Sequence, residues 1–211
     1  MIINKDSLEQ KIEAFIQENN ITHLNKDPSD SYQKQIQQAL KKCDALIEKG
    51  KHRYLMHIRP TAPNLNAYIK THKQNQPIWP VINNMRAPSY KAAKFHNKKL
   101  KNFCLPDTYT TKNSLELALE LNNIQINENS RIITLDIKDL YVNLPIKNIL
   151  RITEFWLNKG NQDHVTTKQI LYLLEIILKQ NYFQHNNQFY QPSKGIAMRA
   201  PVSSMLAEIY L

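Results

Sequence analysis

Three glycines in 211 residues narrow what this chain can become more than any other feature. They are Gly50, Gly160 and Gly195, and neither GxGxxG nor GxxxxGKS/T can be written around any of them. Glycine-rich phosphate loops are thereby excluded, and with them most nucleoside-triphosphate hydrolases and dinucleotide-binding enzymes. The seven histidines show no zinc-site spacing, and no GxSxG elbow is present. Cys43 and Cys104 match no metal or redox spacing and read as reduced, buried thiols of an intracellular protein, in nucleus or cytoplasm. The opening residues lack a charged-then-apolar leader, which argues against secretion. No apolar run approaches the roughly 18 residues of a membrane span. Lysine and arginine number 28 against 18 acidic residues, a net charge of +10. Such an excess points to an anionic partner, most commonly nucleic acid, although it also serves plain solubility.

Apolar periodicity separates a helical first fifty residues from a mixed remainder. Ser7 with Gln10 resembles a capping box, and Leu8, Ile12, Phe15 and Ile16 form a helical stripe. Asp27-Pro28-Ser29-Asp30 caps a second helix, whose stripe runs from Tyr32 through Ile36, Leu40, Cys43 and Ile47 to Gly50. Prolines between 51 and 87 predict strands near 54–58 and 78–82, with 68–73 between them. Pro88 opens a basic helix to about 103, and a further helix starts at Asn113 or Ser114 with Leu115, Ala118 and Leu119 inward. Residues 131–136 are short, β-branched and apolar, and predict a strand ending on Asp136. Helices follow over 146–158 and, after a Thr166 or Thr167 cap, over 170–179. Residues 182–190 read as a hairpin with Asn186-Asn187 at its tip, and Pro201 opens a last helix. The expected fold is α+β: a helical N-terminal extension, 1–50, then 51–211 with helices around a small antiparallel sheet that contains 131–136 and 182–190.

Three segments then carry a resemblance. Tyr68-Ile-Lys-Thr-His-Lys-Gln-Asn-Gln-Pro-Ile-Trp-Pro-Val-Ile82 is similar to Y-x-x-x-K-x-H-K … P-x-R-P-I. Leu135-Asp-Ile-Lys-Asp-Leu-Tyr-Val-Asn-Leu-Pro145 is similar to D-V-x-S-L-Y-T-N-I-P. Tyr190-Gln-Pro-Ser-Lys-Gly-Ile-Ala-Met-Arg-Ala-Pro-Val-Ser-Ser204 is similar to G-x-A-M-G-S-P-x-S. In this order they resemble the fingers and palm motifs of Penelope-like retroelement reverse transcriptases. The chain departs from the pattern at Trp79, where the motif has arginine, and at Arg199-Ala200, where it has Gly-Ser.

The resemblance implies an RNA-directed DNA polymerase domain, here its fingers and the first part of an incomplete palm sheet. It implies Mg²⁺ in a two-metal site, with Asp136 as catalytic metal ligand at a strand end. It places Asp139, Tyr141, Lys70, Lys73 and Gly195 at the incoming nucleotide, with Tyr141 as a steric gate beneath the sugar. Asp136, Tyr141 and Gly195 are then expected to face one cleft. Lys91, Lys94, Lys98 and Lys101 are the candidate nucleic-acid face. The implied partners are an RNA or DNA template-primer and deoxynucleoside triphosphates, with no membrane. The chain stops before the next palm motif of the family, x-x-D-D, which carries the second catalytic carboxylates, so it is expected to be inactive alone. Two other readings stay open: a non-catalytic nucleic-acid-binding remnant and a helical interaction protein.

Overall fold

A computed structural model describes residues 4–71, 73–103, 111, 113–125, 127, 129–137 and 139–211. The chain forms two compact units, one of residues 1–104 with 139–211 and one of residues 105–138.

The first unit combines helices with a five-stranded sheet. Its elements are α1 (Lys5–Glu18), β1 (Ile21–Leu24), α2 (Ser29–Lys41), a 3-10 helix (Lys51–Leu55), β2 (Asn64–Ile69), β3 (Ile78–Asn83) and α3 (Tyr90–Phe103). The second unit contributes α4 (Ser114–Asn122). The first then resumes with α5 (Leu140–Asn143), α6 (Ile146–Lys159), α7 (His164–Lys179), β4 (Phe183–His185), β5 (Gln188–Pro192) and α8 (Ser203–Tyr210). The strand order is β1-β5-β4-β2-β3. The expected antiparallel sheet is in fact mixed, because β2 and β4 run parallel through Asn64 and Gln184.

Two apolar clusters follow from the helical and strand periodicities. In α7, Ile170, Leu173, Leu174, Ile177 and Leu178 recur at helical spacing and are all buried. Around them pack α2, α3 and α6. Asp163 opens α7, its carboxylate accepting from the Thr166 amide at 2.9 Å, rather than Thr166 or Thr167. On the sheet, Leu65, Ile82 and Phe183 bury against Ile12 of α1. Residues 1–50 are therefore not helical throughout: β1 joins the sheet by pairing with β5, Ile21 opposite Pro192.

Several expected boundaries shift for identifiable reasons. The cap of α1 is Asn4, whose side chain accepts from the Asp6 amide, so Ser7 lies inside the helix. The second stripe leaves the helix after Lys41, and Cys43, Leu46 and Ile47 stay buried in turns. Cys43 has the expected buried thiol, and burial pushes its pKa up to about 11; Cys104 lies outside the described residues. The extended segment expected at 54–58 is partly 3-10 helix, and Tyr54 and Ile58 are exposed. The strand lies instead at 64–69 and includes Tyr68 and Ile69. Residues 131–136 are not a strand but irregular backbone, with Ile132, Ile133 and Leu135 exposed. A β-branched run fits a pleated, half-buried surface, and without a paired neighbour that preference is not realised. Leu115 and Leu119 of α4 are likewise exposed rather than inward. Among the described residues no helix is long and apolar enough to cross a membrane.

The 182–190 hairpin forms as expected, with Asn186 and Asn187 at φ of 49° and 60°. Two successive left-handed residues are what a tight hairpin requires, and asparagine tolerates them. Asn187→Val puts a β-branched residue there and is expected to cost about 1–2 kcal/mol. Asn187→Gly is expected to be neutral or stabilising. Urea unfolding of the three proteins checks the order.

Candidate functional site

The clearest constellation of motif residues is built on the single turn of α5. Asp139 precedes it with left-handed backbone, φ 52°. Buried Leu144 and Ile149 anchor the chain just beyond. This leaves the carbonyls of Tyr141 and Val142 facing the 194–196 loop. Ile196 donates its amide to the Tyr141 carbonyl at 2.8 Å. Gly195 sits between them at φ 79°, and a Cβ there would lie 2.7 Å from the Tyr141 oxygen and overlap the Val142 carbonyl. The glycine is therefore required twice, by conformation and by space. Lys194 donates to the Asn143 side chain at 2.9 Å, and Asn143 donates to the Asp139 carbonyl at 3.1 Å. A lysine ammonium is thus held beside the α5 turn. Tyr141 is half-buried there. Phe15, Pro80, Ile82, Val142 and Met198 line a small apolar cleft in the same region.

Lys70 and Lys73 lie in the turn joining β2 to β3. Lys70 donates its amide to the Pro77 carbonyl at 3.0 Å, and Lys73 to that of Lys70 at 3.1 Å. Lys70 is half-buried and Lys73 exposed.

The basic helix forms one charged stripe. Spacings of three, four and three residues place Lys91, Lys94, Lys98 and Lys101 within one narrow arc of α3, about 15 Å long. The opposite face, Ala92, Ala93, His96 and Leu100, is buried. His96 donates its Nε2 proton to the Ile170 carbonyl of α7 at 2.8 Å. Complete burial pushes its pKa down to about 4, so the inner face carries no charge at neutral pH while the outer face carries four.

Asp136 belongs to the unit of residues 105–138, where it is exposed on irregular backbone rather than at a strand end. Among the described residues no three His, Cys, Asp or Glu side chains gather closely enough to hold a metal ion. A two-metal site needs carboxylates from more than one segment, and among the described residues Asp136 has no such partners gathered around it.

Of the expected site residues, the structure unites Asp139, Tyr141 and Gly195, pairs Lys70 with Lys73, and aligns the four lysines of α3. Sequence reasoning missed the Lys194–Asn143 tether, although both residues stand inside the quoted motifs. It also missed the meeting of Trp79 with Arg199, whose guanidinium lies 5.1 Å from the indole centroid. Comparison with protein-family models, with curated proteins and with solved structures found no match.

Proposed function

We propose that this chain is the fingers and first palm portion of an RNA-directed DNA polymerase domain of the Penelope-like retroelement kind, acting here to bind template-primer and the nucleotide's triphosphate. The observation that carries the reading is the hydrogen bond between Tyr141 and Ile196, which joins two motif segments distant in sequence around a glycine that accepts no side chain. The backbone of Arg199 adds support. It is left-handed, φ 63°, at the position where the motif has a glycine.

In this reading Tyr141 is the gate beneath the sugar, with Asp139 and Lys194 beside the triphosphate. Lys70 and Lys73 meet phosphates from the hairpin turn, and Lys91, Lys94, Lys98 and Lys101 track a nucleic-acid backbone. By the resemblance alone, Asp136 would supply one carboxylate of an incomplete set for Mg²⁺.

Anisotropy of a labelled RNA–DNA template-primer across a salt series tests this reading. The logarithm of the affinity should fall linearly with the logarithm of salt concentration. Changing the four α3 lysines to glutamine should flatten that slope by roughly 3–4, about 0.9 for each phosphate contact. Absence of binding at low salt would overturn the reading and leave the helical interaction protein, which the exposed leucines of α4 favour. In a parallel primer-extension assay with Mg²⁺ the expected outcome is binding without extension, because Asp136 is the single metal-ligand aspartate the matched motifs supply. Extension that Asp136→Ala abolishes would show that expectation to be wrong.

A further inference from the structure

On the sheet face opposite α1, Tyr68 and Trp79 stand directly across from each other in the β2–β3 ladder. Leu65, Ala67 and Ile82, of opposite parity, pack toward Ile12 of α1. The two rings lie 6.3 Å apart at 54°, and both stay open to solvent, Tyr68 at 54% and Trp79 at 42%. Arg199 completes the group with its guanidinium over the indole. Among the described residues no carboxylate pairs with Arg199, which is exposed. Its left-handed backbone is a conformation that non-glycine residues seldom adopt without a compensating gain.

We infer that Tyr68, Trp79 and Arg199 form a stacking platform for an unpaired base of single-stranded nucleic acid. The inference rests on the polymerase reading above and specifies which part of the substrate is gripped, and how. Flat aromatic faces with an arginine plane attract any nucleobase, because every base presents a π-face. The charge selects the ligand class. A cationic ligand meets Arg199 and the lysines of the neighbouring turn, and is repelled. A neutral sugar could stack but would leave those cations without a partner. A nucleotide strand satisfies both features, its base on the rings and its phosphates toward Lys70, which follows Tyr68 by about 7 Å along β2.

The test uses the full chain with Trp156→Phe, so that Trp79 is the sole indole emitter. An oligothymidylate and an abasic strand of equal length are titrated in parallel, by Trp79 emission and by anisotropy of a labelled strand. The oligothymidylate should quench Trp79 and the abasic strand should not. Trp79→Leu should weaken oligothymidylate binding about five- to hundredfold, the range for one stacked base, and leave the abasic strand unchanged, whereas Arg199→Gly, which also removes a cation, should weaken oligothymidylate binding more than that of the abasic strand. Arg199→Gly relieves backbone strain, so loss of fold does not mimic the effect, and Trp79→Tyr should retain most of the affinity. Equal weakening of both strands, or unchanged oligothymidylate binding in Trp79→Leu and Arg199→Gly, overturns the platform. If the template-primer still binds with a steep salt slope in that case, the polymerase reading stands without it. If wild type binds neither strand nor template-primer, both fall.

Discussion

Lowering the pH from about 6.5 to 4 is expected to remove about 3 kcal/mol of stability from the unit that carries the sheet, through His96 alone. The side chain is fully buried between α3 and α7 and pays for desolvation if it charges, which lowers its folded pKa from 6.5 to about 4. The unfolded chain therefore binds the proton more readily than the folded one over that interval. Stability is fully present above the unfolded pKa and drains away as pH falls toward the folded pKa. At about 1.4 kcal/mol per decade the interval corresponds to roughly 3 kcal/mol. Protonation would leave the Ile170 hydrogen bond in place, since Nε2 already donates, but would add a charge on buried Nδ1, which has no hydrogen-bond partner. His57 also has a lowered pKa, chiefly by desolvation with Lys91 adding to it, and contributes a smaller slope of the same sign. Urea unfolding of wild type and His96→Gln from pH 4 to 7.5 separates the two. The glutamine amide can donate to Ile170 and does not titrate, so the variant should lose the His96 share of the slope and keep that of His57 and of the carboxylates with lowered pKa, such as Glu9. An identical slope in both proteins would count against His96.

The fold was most legible where local chemistry and packing agree. The stripe of α7, the Asn186-Asn187 tip and the Asn113 cap of α4, which accepts from the Leu115 and Glu116 amides, are all local signals that tertiary structure had no reason to override. Residues 131–136 show the reverse. Their composition is that of a strand, yet a strand is a relation between two segments, and among the described residues none pairs with this one. β1 was invisible for the complementary reason: Ile-Thr-His-Leu is too short to show a period, and its pairing with β5 comes from the other end of the chain. The candidate site divides the same way. Gly195 and Tyr141 were candidates only through the resemblance of their segments to a known family, whereas the Arg199–Trp79 contact joins a loop to an edge strand and could not be read from either segment alone.

Gly195→Ala should be among the most damaging single-methyl changes in the chain, with an expected loss of about 2–4 kcal/mol. Left-handed backbone costs an L-residue about 1–2 kcal/mol, and Gly195 has a φ of 79°. Space adds a second cost, because the new Cβ would overlap the Val142 carbonyl and sit 2.7 Å from the Tyr141 oxygen. These are backbone atoms at the α5 turn, which Leu144 and Ile149 hold in the core, so neither can swing aside as a side chain end would. Relief must come from the 194–196 loop moving away, which breaks the Ile196–Tyr141 hydrogen bond, worth about 1 kcal/mol. Gly50 supplies the control within the same protein. Its φ is 87°, but a Cβ there would meet nothing within 4 Å. Gly50→Ala therefore carries the conformational cost without the collision, and should lose about 1 kcal/mol. The difference between the two variants in urea unfolding isolates the close approach of the loop to the α5 turn. Equal losses would mean that the Tyr141 and Val142 carbonyls yield freely to a methyl group. The geometry that joins the two motif segments would then not be the rigid feature on which the nucleotide-site reading depends.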